Sequence, residues 1–460
     1  MTTTLWAILG YVVLQVLFGV WVSRKVHTEQ DYLVAGRNLG PYLATATVFA
    51  TWFGAETCIG AAGQAYSGGL AETTADPFGY ALCLLVMGAV FAVPLWKAKM
   101  TTLADLFRRH YGPWVERVAA LLMVPTSVLW AGAQIRAFGQ VLGATSEWGL
   151  ALAITLAAAV VIAYTALGGL LADAMSDGVQ GLVLILGLVA VLVAFIASGD
   201  GIHLQALLVR EPERLHLVRL GQDGFWATAE CWAVPVLGSV VAQELVARVA
   251  AARTGAIAKG SALVAGSLYL VVGLVPIVLG LAAVPVLADL QHPEQVLAHM
   301  AEHYLSTPLY VVFVGALVSA ILSTVDSALL VAGSLLAHNL ILPNLPKATA
   351  ATRLRVNRVA VVGFGLAAYA LALSAPGVYE LVEEASALGT SGVFVCVVFA
   401  LFTRFGGTYS ALVALLLGLV VYGVGSQGLL AHPYLASLAA ALAGYCGVAL
   451  CWERRRQLAA

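Results

Sequence analysis

Charge is scarce in this sequence. Asp, Glu, Lys and Arg make up 10% of its 460 residues, while 61% are hydrophobic. A soluble domain carries about a quarter charged residues, so a water-soluble globule is excluded as the body of the chain. With a net charge of -1 there is no basic surplus for nucleic acid, and none is expected as a partner. The six cysteines, Cys58, Cys83, Cys231, Cys396, Cys446 and Cys451, form no CxxC pair and lie in or beside apolar segments. They read as small apolar filler, without a disulfide framework or a metal site. No basic region precedes the first apolar run, and no small-residue cleavage site follows it. Residues 5–24 are therefore expected as a retained helix rather than a signal peptide. HExxH, GxSxG and P-loop patterns are all missing, so an enzyme is not expected. No low-complexity tract occurs, and no stretch between apolar segments exceeds about 30 residues. One membrane domain, 1–460, is expected to use the whole chain.

What the sequence has in abundance is apolar runs near 20 residues, each long enough to cross about 30 Å of hydrocarbon as a helix. They predict an all-α polytopic membrane protein with about 13 spans. These fall near 5–24, 42–68, 79–96, 118–144, 148–166, 178–197, 228–249, 260–288, 307–340, 356–374, 378–402, 408–425 and 433–452. Lys and Arg set the orientation. Alternate loops hold Arg24, Lys25 and Arg37; Lys97, Lys99, Arg108, Arg109 and Arg117; Arg248, Arg253 and Lys259; and then Lys347, Arg353, Arg355 and Arg358. Arg404 and Arg454 to Arg456 continue the same series. The opposite loops hold Arg210, Arg214 and Arg219. The bias predicts an outer N-terminus and a cytoplasmic C-terminus, in a cell membrane read as a bacterial inner membrane.

Two spans should break. The first, ATATVFATWFGAETCIGAAGQAYSGGL at 44–70, carries Gly54, Glu56, Thr57, Gly60 and Gly63. A mid-membrane carboxylate usually faces a cavity, and unwound backbone at that depth survives only when it is buried in protein or lines one. The second, TAECWAVPVLGSVVAQELVARV at 228–249, has Pro235 and Gly238 in its middle. A pair of interrupted spans about five helices apart points to an inverted-repeat transporter. One repeat is placed over 42–197 and its mirror over 228–402, with 5–24 and 408–452 peripheral. Further on, GALVSAILSTVDSALLVAGS at 315–334 puts Ala320, Ser323, Thr324 and Ser327 on one helical face. Hydroxyls there suit a hard cation, which prefers oxygen ligands, and Asp326 adds a charge in the same turn.

Three segments, taken together, resemble the sodium:solute symporter family. They are DYLVAGRNLGPYLATATVFATWFGAETCIGAAGQAYSGGL at 31–70, YTALGGLLADAMSDGVQ at 164–180 and SAILSTVDSALL at 319–330. The resemblance implies a LeuT-type core of two inverted five-helix repeats with broken first and sixth core helices. It also implies coupling of inward Na+ flow to solute uptake. It places a Na+ site at the backbone of Ala50, Phe53 and Ala320 with the hydroxyls of Ser323 and Thr324. A second Na+ site, present in some members, would draw on Asp177, Asp326 and Ser327.

Within the family, strings such as LVAGR.LG, FATW.G and T..D.F...YG resemble the choline-transporting branch. There an aromatic cage holds a quaternary ammonium, and its residues would map to Trp52, Tyr80 and Trp130. Cations sit favourably over aromatic faces. A fourth cage tryptophan aligns with Ala242, so the cage is incomplete. Glu56, Thr57, Gln134 and Gln243 are further candidates for the solute pocket, and Glu56, Asp76 and Glu244 for negative potential around it. The expected partners are a small-molecule solute, Na+ and the lipid bilayer, with the chain acting as a monomer. The alternatives are a Na+ symporter for an amino acid, sugar or organic acid, a solute-sensing membrane module, and a channel.

Overall fold

The computed structural model describes residues 37–146, 148–166, 170–218, 220–287, 290–345 and 347–453, together with Trp6, Gly10, Val13 and Leu17. The side chains of residues 164, 170–179, 220–223, 350 and 452–453 lie outside that description. The expected span 5–24 and the side chain of Asp177 therefore fall outside the described residues.

The described chain is helical almost throughout. In order the helices are α1 Pro41–Trp52, α2 Ala62–Gly68, α3 Leu70–Ala98, α4 Leu103–Tyr111, α5 Pro113–Ala144 and α6 Leu150–Thr165. Next come α7 Leu170–Ser198, α8 Gly201–Arg210, α9 Leu220–Ala233, α10 Gln243–Ala251, α11 Gly255–Val286 and α12 Val296–Tyr304. The last are α13 Thr307–Ser334, α14 Ala350–Ser374, α15 Val378–Ala387, α16 Thr390–Phe402, α17 Thr408–Val424 and α18 Pro433–Val448. Among the described residues nine helices are long and apolar enough to cross a membrane, or ten if the bent pair α15–α16 counts as one span. The broken span at 41–68 and the 16-residue α6 fall short as single straight helices, and the expected span 5–24 lies outside the described residues; these three separate ten from the expected thirteen.

Burial sorts these helices into core and periphery. In the span Thr307–Asn344, which contains α13, 78% of the apolar 18-residue stretch is buried, against 28% for both Thr408–Leu429 and Pro433–Cys451. α13 packs against α5, α7 and α14, while α11 packs against α1 and α2. On α7, Leu182, Leu186, Val189, Val193 and Ile196 form an exposed apolar stripe at helical spacing. Such a stripe is what a lipid-facing helix surface requires.

Three spans are interrupted. α1 ends at Trp52, and Phe53 leaves the helical region at φ −83° and ψ 87°. The helix restarts when the Cys58 N–H donates to the Gly54 carbonyl at 3.1 Å. The second break runs from Val234 to Ala242, where Ala242 is extended at ψ 131° before α10 begins. The third lies between α15 and α16, which meet at 44°. It passes through Leu388 and Gly389, and Gly389 sits at φ +70°, a conformation that glycine adopts without steric penalty. The second and third breaks touch. A Cβ on Gly238 would stand 1.9 Å from the Ser386 carbonyl oxygen, so only a glycine allows the approach.

The ends of the bundle are tied by polar contacts. On the face of the basic loops, Asp105 in α4 accepts from the Thr101 and Thr102 backbone N–H groups at 2.8 and 3.0 Å. His338 lies 3.5 Å from its other oxygen. Burial pushes the Asp105 carboxyl up, but His338 and the two N–H groups outweigh it and hold it at about 2. On the opposite face, Glu294 accepts from the Val378 N–H at 2.5 Å and from Gln140 at 2.6 Å. Arg136 reaches the Ala372 and Pro376 carbonyls at 3.1 and 2.9 Å and lies 3.7 Å from Glu294. Burial pushes the Glu294 carboxyl up, and these partners pull against that rise.

Candidate ion and solute site

A helix that stops in mid-bundle releases the carbonyls of its last turn. At the end of α1 these groups find partners on neighbouring helices. Phe49 O takes the Phe53 N–H at 2.8 Å. Trp52 O takes the Tyr269 hydroxyl from α11 at 3.3 Å. Ala50 O faces α13, where the Thr324 hydroxyl reaches it at 3.4 Å while also donating to Ala320 O at 3.0 Å. Three oxygens from two helices thus converge, and this is the donor type a hard monovalent cation takes in exchange for its water. Ser323 and Ser327 are buried on the same face of α13, and Ser327 donates to Ser323 O at 3.0 Å. Phe53 occupies the break itself. The break is tightly fitted: a Cβ on Gly54 would lie 2.9 Å from Thr324 Oγ1 and 3.8 Å from Gln134 Oε1.

Asp326 is buried one residue before Ser327. Arg248 in α10 is 1% exposed. Its guanidinium donates to the Ser327 hydroxyl and, at 3.4 Å, to the Glu244 carbonyl. A fixed positive charge therefore stands against Ser327.

Next to the break, Trp52, Tyr80 and Trp130 come together from α1, α3 and α5. Trp52 and Tyr80 stack with ring centroids 5.4 Å apart, Trp52 and Trp130 meet edge-on at 4.4 Å, and Tyr80 and Trp130 are 6.4 Å apart. The rings fill the space between themselves. The Tyr80 hydroxyl bonds Ser386 Oγ at 2.9 Å, and Ser239 Oγ donates to the same atom at 2.9 Å. This serine joins the second and third breaks to the ring cluster. Below the rings, towards the basic loops, a small cavity of about 20 Å³ is lined by Met123, Trp130, Gly238, Ala242, Gln243 and Ser386 among others.

The remaining predicted pocket residues divide. Thr57 bonds Asp76 Oδ2 at 2.8 Å, and Tyr269 donates to the same oxygen at 2.9 Å. Glu56 is 2% exposed and lies against the Tyr80 hydroxyl. Gln134 is 1% exposed. Gln243 lines the cavity, but its side-chain oxygen is committed to the Leu103 N–H at 2.5 Å. Four buried polar atoms around the break have no hydrogen-bond partner: Trp52 Nε1, Glu56 Oε2, Asp76 Oδ1 and Gln134 Oε1. Buried polar atoms are nearly always satisfied, so this concentration singles out the break as the candidate site. Sequence reasoning did not assign Tyr269 or Ser386 to the site. Neither stands in a motif, and each reaches the site from a distant helix.

A bundle of interrupted helices enclosing a mid-membrane oxygen site beside aromatic rings defines a secondary transporter with a LeuT-type fold. The family model for the sodium:solute symporter family matches residues 32–418, and the chain belongs to that family. The chain is similar to the high-affinity choline transporter 1 of Caenorhabditis elegans, with 27% identity covering 93% of this chain and 78% of that protein. Its similarity to the human high affinity choline transporter 1 is 26%, covering 93% and 77%. The sodium/pantothenate symporter of Haemophilus influenzae is 26% identical over 69% of this chain and 67% of its own length. Among solved structures, a Na+-coupled sialic acid symporter in a substrate-bound outward-open state superposes with a TM-score of 0.83 at 15% identity, covering 98% of each chain. The protein is thus a multi-pass membrane symporter rather than an enzyme, and its family implies Na+ as the coupling ion and a small-molecule solute.

Proposed function

We propose that this symporter imports choline or another small organic cation, driven by one Na+ held between α1 and α13. The reading is carried by one juxtaposition: the Ala50 carbonyl freed at the break meets the Thr324 hydroxyl, and the next turn of the same break carries the ring cluster of Trp52, Tyr80 and Trp130. Ala50, Phe53, Ala320, Ser323 and Thr324 would ligate Na+. The second position, at Asp177, Asp326 and Ser327, is read as served by the Arg248 guanidinium instead of a second Na+. Trp52, Tyr80 and Trp130 would take the solute cation, with Glu56, Thr57, Gln134 and Gln243 around it.

Na+ arriving from outside would hold α1 against α13 and favour the state in which the solute pocket forms. An ion shifts such an equilibrium only by its differential affinity for the two states. The coupling is reciprocal, so Na+ raises solute affinity by the same factor as solute raises Na+ affinity. In this reading residues 42–197 and 228–402 are the two repeats, while 5–24 and 408–452 are peripheral. The chain works as a monomer in a lipid bilayer, taken as a bacterial inner membrane, with its N-terminus outside and its C-terminus in the cytoplasm.

The test is uptake by the full chain in proteoliposomes, with choline, amino acids, sugars and organic acids as solutes. Accumulation of choline that needs an inward Na+ gradient supports the reading. Na+-driven accumulation of a sugar or organic acid alone rejects the cation. Binding without accumulation favours a sensor.

A further inference from the structure

We infer that the solute is an ammonium bearing N–H groups, a primary, secondary or tertiary amine in its protonated form, held by the Glu56 and Asp76 carboxylates. This rests on the organic-cation reading and narrows it.

Glu56 and Asp76 are 2% and 0% exposed. Asp76 lies close enough to repel charge on Glu56. Each carboxylate is only half used. Thr57 and Tyr269 satisfy Asp76 Oδ2, and the Tyr80 hydroxyl lies against Glu56. Glu56 Oε2 and Asp76 Oδ1 accept nothing. Among the described residues no basic side chain pairs with either group. Arg136 is committed to the Ala372 and Pro376 carbonyls and to Glu294, and Arg248 to Glu244 and Ser327.

Two buried carboxylates without a counter-charge are strongly unfavourable. An entering cation would supply the missing counter-charge, and the two open atoms also dictate its hydrogen-bonding. Both are acceptors, so the incoming group needs donors as well as charge. A quaternary ammonium brings charge and methyl groups but no N–H. Its nitrogen would rest on the Trp52 and Tyr80 rings and donate to neither acceptor. A site built around hydrogen-bonding groups rejects an analogue that lacks them far more strongly than an apolar pocket rejects a change in size. The rings remain useful for an amine, whose N-alkyl groups face them while its N–H bonds face the carboxylates.

The experiment is a graded series on the purified full-length protein: ethanolamine, N-methylethanolamine, N,N-dimethylethanolamine and choline. Apparent affinity is read from thermal stabilisation in Na+ and in K+ buffers. In Na+, N,N-dimethylethanolamine should bind at least tenfold more tightly than choline, with the fall concentrated at the last methyl group. Glu56→Gln should flatten that step to under threefold. Choline binding as tightly as its dimethyl analogue, or a step unchanged in the Glu56→Gln protein, overturns the inference while leaving the organic-cation symporter standing. Stabilisation in Na+ by a sugar or an anion and by none of the four amines overturns both, yet leaves Na+ coupling intact. If the variant does not fold, the wild-type series decides alone.

Discussion

Gly54→Ala adds a single methyl group beside the ion site, and its effect can be worked out from the contacts. Gly54 is not among the positive-φ glycines, so alanine is not strained by its backbone. The whole perturbation is the new Cβ, 2.9 Å from Thr324 Oγ1 and 3.7 Å from Ala320 O. Relief has two routes. Thr324 can rotate about χ1, which carries its hydroxyl away from Ala50 O and Ala320 O; threonine is β-branched and has few alternatives. Otherwise α1 must move back from α13, at the typical overpacking cost of about 1–3 kcal/mol. Either route removes or displaces one oxygen of the proposed Na+ shell, and a coupling loss of about 1–3 kcal/mol corresponds to roughly 5- to 150-fold. Gly54→Ala should therefore raise the Na+ concentration for half-maximal stabilisation of the purified protein by a factor in that range. Its melting temperature in K+ buffer should fall by the overpacking cost alone. A variant with wild-type Na+ half-saturation and wild-type stability would refute both the ion site and the packing argument.

Other outcomes follow from the same contacts. A Ser323→Ala, Thr324→Ala double variant should lose Na+-dependent stabilisation and Na+-driven uptake together, and a wild-type Na+ response would rule out the assigned ligands. Uptake should rise with Na+ along a single-site curve, with a Hill coefficient of about 1; cooperative activation would reject Arg248 as the resident cation of the second position. Tyr269→Phe removes the hydroxyl that bonds Asp76 and reaches Trp52 O. It should cost about 1–3 kcal/mol of stability, read from melting in detergent, because buried partners are left unsatisfied. Asp105 is held at about 2, below the usual carboxylate value near ~3.9. Its contribution, about 2 kcal/mol, should be complete above pH ~4 and fade as pH falls towards ~2. Asp105→Asn should flatten that acid limb in a pH series of melts.

The parts of this site that were legible in the sequence are those encoded locally. Gly54 and Glu56 in an apolar run announce a break, and Ser323 and Thr324 on one face of α13 announce buried hydroxyls, one of which meets the Ala50 carbonyl. The convergence of Trp52, Tyr80 and Trp130 followed from resemblance rather than from periodicity, since an aromatic side chain in a membrane helix looks alike whether it faces lipid, packing or solute. What remained illegible is non-local. Nothing near Tyr269 indicates that its hydroxyl completes the end of α1, and nothing near Ser386 indicates that the second break meets its carbonyl and hydroxyl. Gln243 looked like a pocket residue because it borders a break, yet its side-chain oxygen is taken by the Leu103 N–H across the bundle. The span at 41–68 escapes the straight-span count for a related reason: its interruption shortens the very helix that a hydropathy window is counting.

The ring cluster has a consequence for energy economy in the cell. With Trp52 and Trp130 centroids 4.4 Å apart, a solute taken there as proposed would have to part the rings, and only a guest that restores their lost contacts would hold them open. A carrier so built would spend the membrane gradient on a fitting cargo and on little else.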